Sequence, residues 1–122
     1  MQEVAAGSFL PSSMQAKLVQ SIQDSLAHFL VPNAIFLAER LYALSKSDYN
    51  LNVLATCHYR HAKPQKAYTL LKPSLHTPEN RYLFALCCYD LGKYQEAETA
   101  LIHSSDDLFS PVCFLFRLYF GL

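Results

Sequence analysis

Apolar residues return every four positions near the start of the chain: Met14, Leu18, Ile22 and Leu26, with Val19 and Phe29 beside them. That spacing lays one stripe along one side of an α-helix. Ser12 and Ser13, just after Pro11, are the expected N-cap. Downstream, Pro32, Pro64, Pro78 and Pro111 each open a helical pattern. Proline suits the first helical position, where its missing N–H costs nothing. Thr77 and Ser110 stand as caps before two of these prolines, and Ser47 does the same before "DYNLNVLATCHYRH". Pro73 closes a helix after Lys72. The pattern predicts seven helices, over about 13–29, 32–45, 48–61, 64–72, 78–91, 94–103 and 111–122. Their short connections make neighbours antiparallel. No strand alternation competes and only three glycines occur, so the class is all-α.

A repeat is written over this pattern. Laid with a shift of thirty, "LATCHYRHAKPQKAYTLL" (54–71) and "FALCCYDLGKYQEAETAL" (84–101) agree at eight of eighteen positions. The matches pair Ala55 with Ala85, Cys57 with Cys87, Tyr59 with Tyr89, Ala67 with Ala97 and Leu71 with Leu101, among others. Similarity at a fixed period marks a stacked-repeat protein. Each unit reads as a helix, a tight turn at Ala62–Lys63 or Gly92–Lys93, and a second helix. The alanines let paired helices approach, and Tyr59, Tyr89, Leu71 and Leu101 fill what remains. A weaker earlier copy puts Leu18, Ile22, Leu26, Ala34 and Ala38 at matching positions. The order of large residue, Leu-Ala, Tyr and Ala-x3-Leu follows the tetratricopeptide (TPR) pattern with a shortened period. The expected fold is a short right-handed α-solenoid of TPR-like helix-turn-helix repeats. Residues 1–12 form a flexible N-terminal segment, and 13–122 hold three helix pairs and the first helix of a fourth.

Three stretches, "AIFLAERLYALS" (34–45), "LATCHYRHAKPQKAYTLLKPS" (54–74) and "RYLFALCCYDLGKYQEAE" (81–98), are more specific than any TPR consensus. They resemble the amino-terminal TPR region of the subunit-three family of the anaphase-promoting complex. The resemblance implies a non-catalytic scaffold within a multisubunit ubiquitin ligase that marks cell-cycle regulators for destruction. It also implies a nuclear and cytoplasmic location, and as partners a second copy of the chain and other TPR and scaffold subunits of that complex. Carboxy-terminal repeats bind coactivator tails in that family, and that role is not carried over here. A general TPR adaptor, such as a co-chaperone-like peptide binder, would explain the repeat alone.

Composition narrows the chemistry. Ten acids balance ten bases, so no basic excess points to nucleic acid. No stretch is apolar for the ~20 residues a membrane span needs, and the start lacks the marks of a secretory signal. Cys57, Cys87, Cys88 and Cys113 are therefore expected as reduced thiols in an intracellular, reducing protein. Cys57 and His61 stand four apart, a spacing that can bring two ligands to one metal. The repeat argues against it: Cys57 has its twin in Cys87, but His58 and His61 become Cys88 and Leu91. Paired CxxC motifs, the stronger zinc signal, do not occur. A small apolar cysteine in helix packing is the simpler reading, and no metal or other cofactor is expected. The five histidines mostly fall at helix ends, where they cap carbonyls. No nucleophile elbow or phosphate-cradling loop is present, so no catalytic residue is assigned.

Binding surfaces are the remaining candidates. Residues 49–78 carry Arg60, Lys63, Lys66 and Lys72 with no acid, while 94–107 carry Glu96, Glu98, Asp106 and Asp107 with no base. These runs are either complementary or simply solvated faces. Leu18, Ile22, Leu26 and Phe29 are candidates for a protein interface, with intramolecular core as the open alternative. Tyr49, Asn52 and Tyr82 are candidates for lining the concave groove of the first helices. The last stretch, "VCFLFRLYFGL", holds one charge, Arg117, and is expected to be covered by further repeats or by a partner.

Overall fold

A computed structural model describes residues 11–102, which form six α-helices: α1 (Ser12–Ala27), α2 (Val31–Leu44), α3 (Asp48–Arg60), α4 (Pro64–Leu71), α5 (Pro78–Asp90) and α6 (Tyr94–Leu101). Their ends fall within two residues of the expected ones. The fold is all-α, of the helical-repeat class. The seventh expected helix, with Ser110, Pro111, Cys113 and Arg117, lies outside the described residues, as do His103, Asp106, Asp107 and residues 1–10.

Local chemistry sets the ends. Ser47 Oγ accepts the Asn50 amide at 3.1 Å and Thr77 Oγ1 accepts the Asn80 amide at 3.2 Å, so both are N-caps as expected. Pro32, Pro64 and Pro78 each sit in the first turn of their helix. The α1 cap differs from expectation. Ser12 and Ser13 are already helical, and the capping position is Pro11, whose side chain accepts nothing. Its φ of −56° suits a helix start, and its carbonyl accepts the Gln15 amide at 3.0 Å, so backbone geometry replaces a hydroxyl cap.

Three turns repeat one geometry. Phe29, Ala62 and Gly92, spaced 33 and 30 residues apart, all adopt the left-handed conformation, with φ of 61°, 61° and 80°. After each, the next amide reaches back five residues: Leu30 to Ser25 O (2.8 Å), Lys63 to His58 O (3.0 Å) and Lys93 to Cys88 O (2.7 Å). The helix-ending carbonyls are thereby satisfied as in a Schellman motif. The first pair keeps this turn although its sequence similarity is weak.

By their packing the residues divide into two compact units between Lys63 and Pro64, within the turn of the second helix pair. In the first unit α1 packs on α2 and α2 on α3; in the second α4 packs on α5 and α5 on α6. Ala34, Ala38, Leu41 and Ala55 are fully buried in the first unit, with Leu51, Leu54 and Cys57 nearly or fully so. In the second, Ala67, Leu71, Ala85, Cys87, Cys88, Ala97 and Leu101 are buried beside Tyr68 and Phe84. The repeat-packing alanines thus permit close helix approach, where any larger side chain would have to displace a neighbour. Tyr59 and Tyr89 are only half-buried, each in the last turn of its helix. Tyr89 lies edge-on to Tyr94, with ring centres 5.2 Å apart.

Candidate interaction surfaces

In the first unit an open cavity of about 490 Å3 runs along α1. It is lined by Ser12, Gln15, Ala16, Val19, Gln20 and Gln23, and closed on one side by Tyr49 at the start of α3. Among the described residues no charged side chain lines it. Three carboxamides and a tyrosine instead surround a strip of Ala16 and Val19, and such a surface can accept backbone or amide hydrogen bonds while covering apolar atoms. Tyr49, 53% exposed, borders this cavity.

The other interface candidates divide. Ile22 is 1% exposed and belongs to the core, the alternative left open for it. α1 packs on α2, and burial within the unit has used Ile22. Leu18 and Leu26, from the same stripe, are half-buried. Phe29 is 83% exposed and holds a left-handed backbone that a bulky residue adopts only at a cost. Asn52 and Tyr82 are half-buried and each is engaged with a neighbour.

A second constellation lies in the other unit, where Tyr68 is the hub. Its phenol donates to Glu96 Oε1 at 2.7 Å and accepts from Lys72 Nζ at 3.1 Å. Its ring stacks on Phe84 at 5.1 Å, tilted by 18°. Lys72 and Lys93 place their ammonium groups 5.3 and 5.1 Å from the ring centre, within cation–π range. The hydrogen bond to the Tyr68 oxygen, reinforced by the nearby Glu96 carboxylate, raises the Lys72 pKa. Basic and acidic runs therefore meet here, through Lys72 and Glu96 on the two sides of one phenol. Beside this hub opens a cavity of about 460 Å3 walled by Lys72, Leu75, Arg81, Phe84, Glu96 and Thr99 among others.

The buried asparagines Asn50 and Asn80 escaped the sequence reading. Both are fully buried, and each side chain donates to a carbonyl before its helix: Asn50 to Ser45 O at 2.8 Å, Asn80 to Ser74 O at 3.4 Å. They stand thirty residues apart, so extending the repeat comparison upstream to the caps at Ser47 and Thr77 would have found them.

The family-model comparison decides the assignment. Residues 27–104 match the family described as "Anaphase-promoting complex, cyclosome, subunit 3". The chain belongs to this family. Among subunit 3 relatives, "Cell division cycle protein 27 homolog" of Homo sapiens is 47% identical over 89 residues, 72% of this chain and 11% of that protein. "Cell division cycle protein 27 homolog A" of Arabidopsis thaliana is 43% identical over 93 residues, 76% of this chain and 13% of that one. "Anaphase-promoting complex subunit 3" of Dictyostelium discoideum is 37% identical over 109 residues, 88% of this chain and 10% of it. The chain thus spans about a tenth of the length of these relatives.

The three described cysteines of this subunit 3 family chain are packing groups. Cys57, Cys87 and Cys88 are free and buried, and burial raises their thiols to about 11, 12 and 12. His61, the other half of the spacing considered for a metal, is an exposed C-cap of α3 while Cys57 faces the core. Among the described residues no group of three or more His, Cys, Asp or Glu side chains could hold a metal, and no helix is long and apolar enough to cross a membrane.

Proposed function

We propose that this chain is a non-catalytic helical-repeat scaffold module of an anaphase-promoting complex, acting in the nucleus and cytoplasm to support ubiquitination of cell-cycle regulators. The observation that carries the reading is the family match across residues 27–104, joined by relatives whose names include subunit 3 of that complex. A general peptide adaptor accounts for the repeat but not for that kinship. Within the scaffold reading, the partners are a second copy of this chain and other TPR and scaffold subunits. The uncharged groove of α1 and Tyr49 supports self-association, since two identical copies can approach there without bringing like charges together.

Light scattering of the purified chain over a dilution series tests self-association. The expected mass is twice 13.8 kDa at high concentration, falling on dilution. Val19→Arg, at a half-buried position bordering the groove, should halve the mass while the circular-dichroism spectrum is unchanged. A monomer at every concentration would overturn self-association. Failure to co-purify with other subunits upon co-expression would overturn the scaffold reading itself.

A further inference from the structure

We propose that the turn between α1 and α2 is the anchor of self-association: Phe29 of one copy seats its ring in the α1–Tyr49 groove of a second copy, and the second copy does the reverse. This contact presupposes self-association and names the side chain that carries it. The turn itself does not need the ring. Its two counterparts hold Ala62 and Gly92 at the same left-handed position, which a bulky residue adopts only at a cost. Nor does the ring serve the core, since Phe29 is 83% exposed. The backbone around it is nevertheless firmly held. The Phe29 amide donates to Leu26 O at 3.0 Å and the Leu30 amide to Ser25 O at 2.8 Å. Asn33 Nδ2 donates to the Oγ of buried Ser25, also at 2.8 Å. A strained position fixed in this way presents its aromatic side chain with little ordering left to lose on binding. Leu30, next in the chain, is exposed as well.

The groove suits that guest. Its described lining residues are uncharged, so a charged segment would give up hydration there without meeting a counter-charge. The strip of Ala16 and Val19 can cover an aromatic face, and Gln15, Gln20 and Gln23 can hydrogen-bond the backbone that brings it. A volume of about 490 Å3 is ample for one phenylalanine side chain with adjoining backbone. The chain does not fill its own groove with this ring. On α1 the groove spans Ser12 to Gln23, whereas Phe29 lies past the C-terminal end of the helix and stays exposed. Two copies can exchange rings. The same surface then meets itself across a two-fold axis, which closes as a dimer and fills both grooves. The charges of α1 are Lys17 and Asp24, and neither lines the groove.

The test is light scattering of Phe29→Gly beside the parent chain, with urea unfolding of both at a low, fixed concentration. The parent should be a dimer. Phe29→Gly should weaken association by about tenfold or more, while its urea midpoint holds or rises because glycine relieves the left-handed backbone. A parent that is monomeric at every concentration overturns self-association, and the anchor with it. A dimeric parent with an equally tight Phe29→Gly dimer overturns the anchor alone. A falling midpoint means that the ring supports its own unit, and that also overturns the anchor. The seat is read separately. p-Benzoylphenylalanine in place of Phe29 is photolysed in a mixture of plain and isotope-labelled chains, and the adducts are mapped by mass spectrometry. Adducts between chains should fall within residues 12–23 or on Tyr49. Adducts elsewhere on the second copy, or within one chain only, overturn the seat.

Discussion

The turn between α3 and α4 holds an alanine where its twin holds a glycine, and this sets up a reciprocal experiment. Ala62 and Gly92 have φ of 61° and 80°, and the amide that follows each donates to a carbonyl five residues back. For an L-residue the left-handed conformation costs about 1–2 kcal/mol, because Cβ crowds the following carbonyl oxygen. Glycine avoids that cost but gives up about 0.5–1 kcal/mol to the greater freedom of its unfolded chain. Ala62→Gly should therefore stabilise the chain by about 0.5–1 kcal/mol. Gly92→Ala should destabilise it by about the same amount. No steric contribution enters the second estimate, since a Cβ built on Gly92 meets nothing within 4 Å. The assay is urea unfolding followed by circular dichroism at fixed protein concentration, because self-association would make stability depend on concentration. The midpoint should move in opposite directions for the two variants, with the slope unchanged. Destabilisation by Ala62→Gly, or a Gly92→Ala cost well above about 2 kcal/mol, would refute the conformational account.

Further consequences follow from the same geometry. Tyr68→Phe removes a phenol that joins Glu96 to Lys72 but keeps the stack on Phe84, so thermal unfolding should show a loss of about 1–2 kcal/mol. Ser47→Ala and Thr77→Ala should each cost about 1 kcal/mol, and the double variant should show their sum, as expected for separate caps. Leu71→Ala, at a fully buried position, should cost about 2–5 kcal/mol by calorimetry. The buried thiols set an alkaline limit. Their folded-state values of about 11 to 12 lie above the value of 9.0 expected without burial, so the unfolded chain loses these protons first. The stability they contribute is present below about pH 9 and falls as pH rises toward 11–12, lowering the urea midpoint between pH 8 and 10.5. At pH 8, alkylation mapped by peptide mass spectrometry should mark Cys57, Cys87 and Cys88 only after denaturant is added.

The helices were legible because their signals are local. Pro32, Pro64 and Pro78 mark first turns, Ser47 and Thr77 supply cap oxygens, and the thirty-residue repeat fixes which alanines are buried. The α1 cap was misread because a serine pair after proline looks the same whether it caps the helix or already belongs to it. Periodicity identified the Met14–Leu18–Ile22–Leu26 stripe but could not say how much of it α2 would cover. Ile22 disappeared into the core, while Leu18 and Leu26 stayed half-buried. Tyr68 was invisible as a hub because its hydrogen-bond partner Glu96 is 28 residues away and its own repeat twin, Glu98, is a different kind of residue.

The repeat comparison was informative where the two copies agree, and the chemistry of the second unit sits where they differ. Ala55 and Ala85, Cys57 and Cys87, and Ala67 and Ala97 are all fully buried, so identity at these small positions reports helix contact. The matched Lys63 and Lys93, Gln65 and Gln95, and Thr69 and Thr99 stay exposed. Tyr68 against Glu98, Leu51 against Arg81, and Lys66 against Glu96 are the mismatched pairs. Three of those side chains, Tyr68, Arg81 and Glu96, build the cavity or its supporting hub. The physical reason is that stacking imposes one requirement on every unit, whereas a partner meets each unit at a different place. In this chain, positions that break the thirty-residue register while keeping a charge or an aromatic ring near the surface are therefore the ones to test for binding. Lys72 meets the same criterion: it follows the last matched position, and its counterpart is Ile102. That places it first for mutation in the second unit. Lys72→Glu should spare helix content, whereas an equivalent change at the matched and fully buried Leu71 should unfold the helix pair.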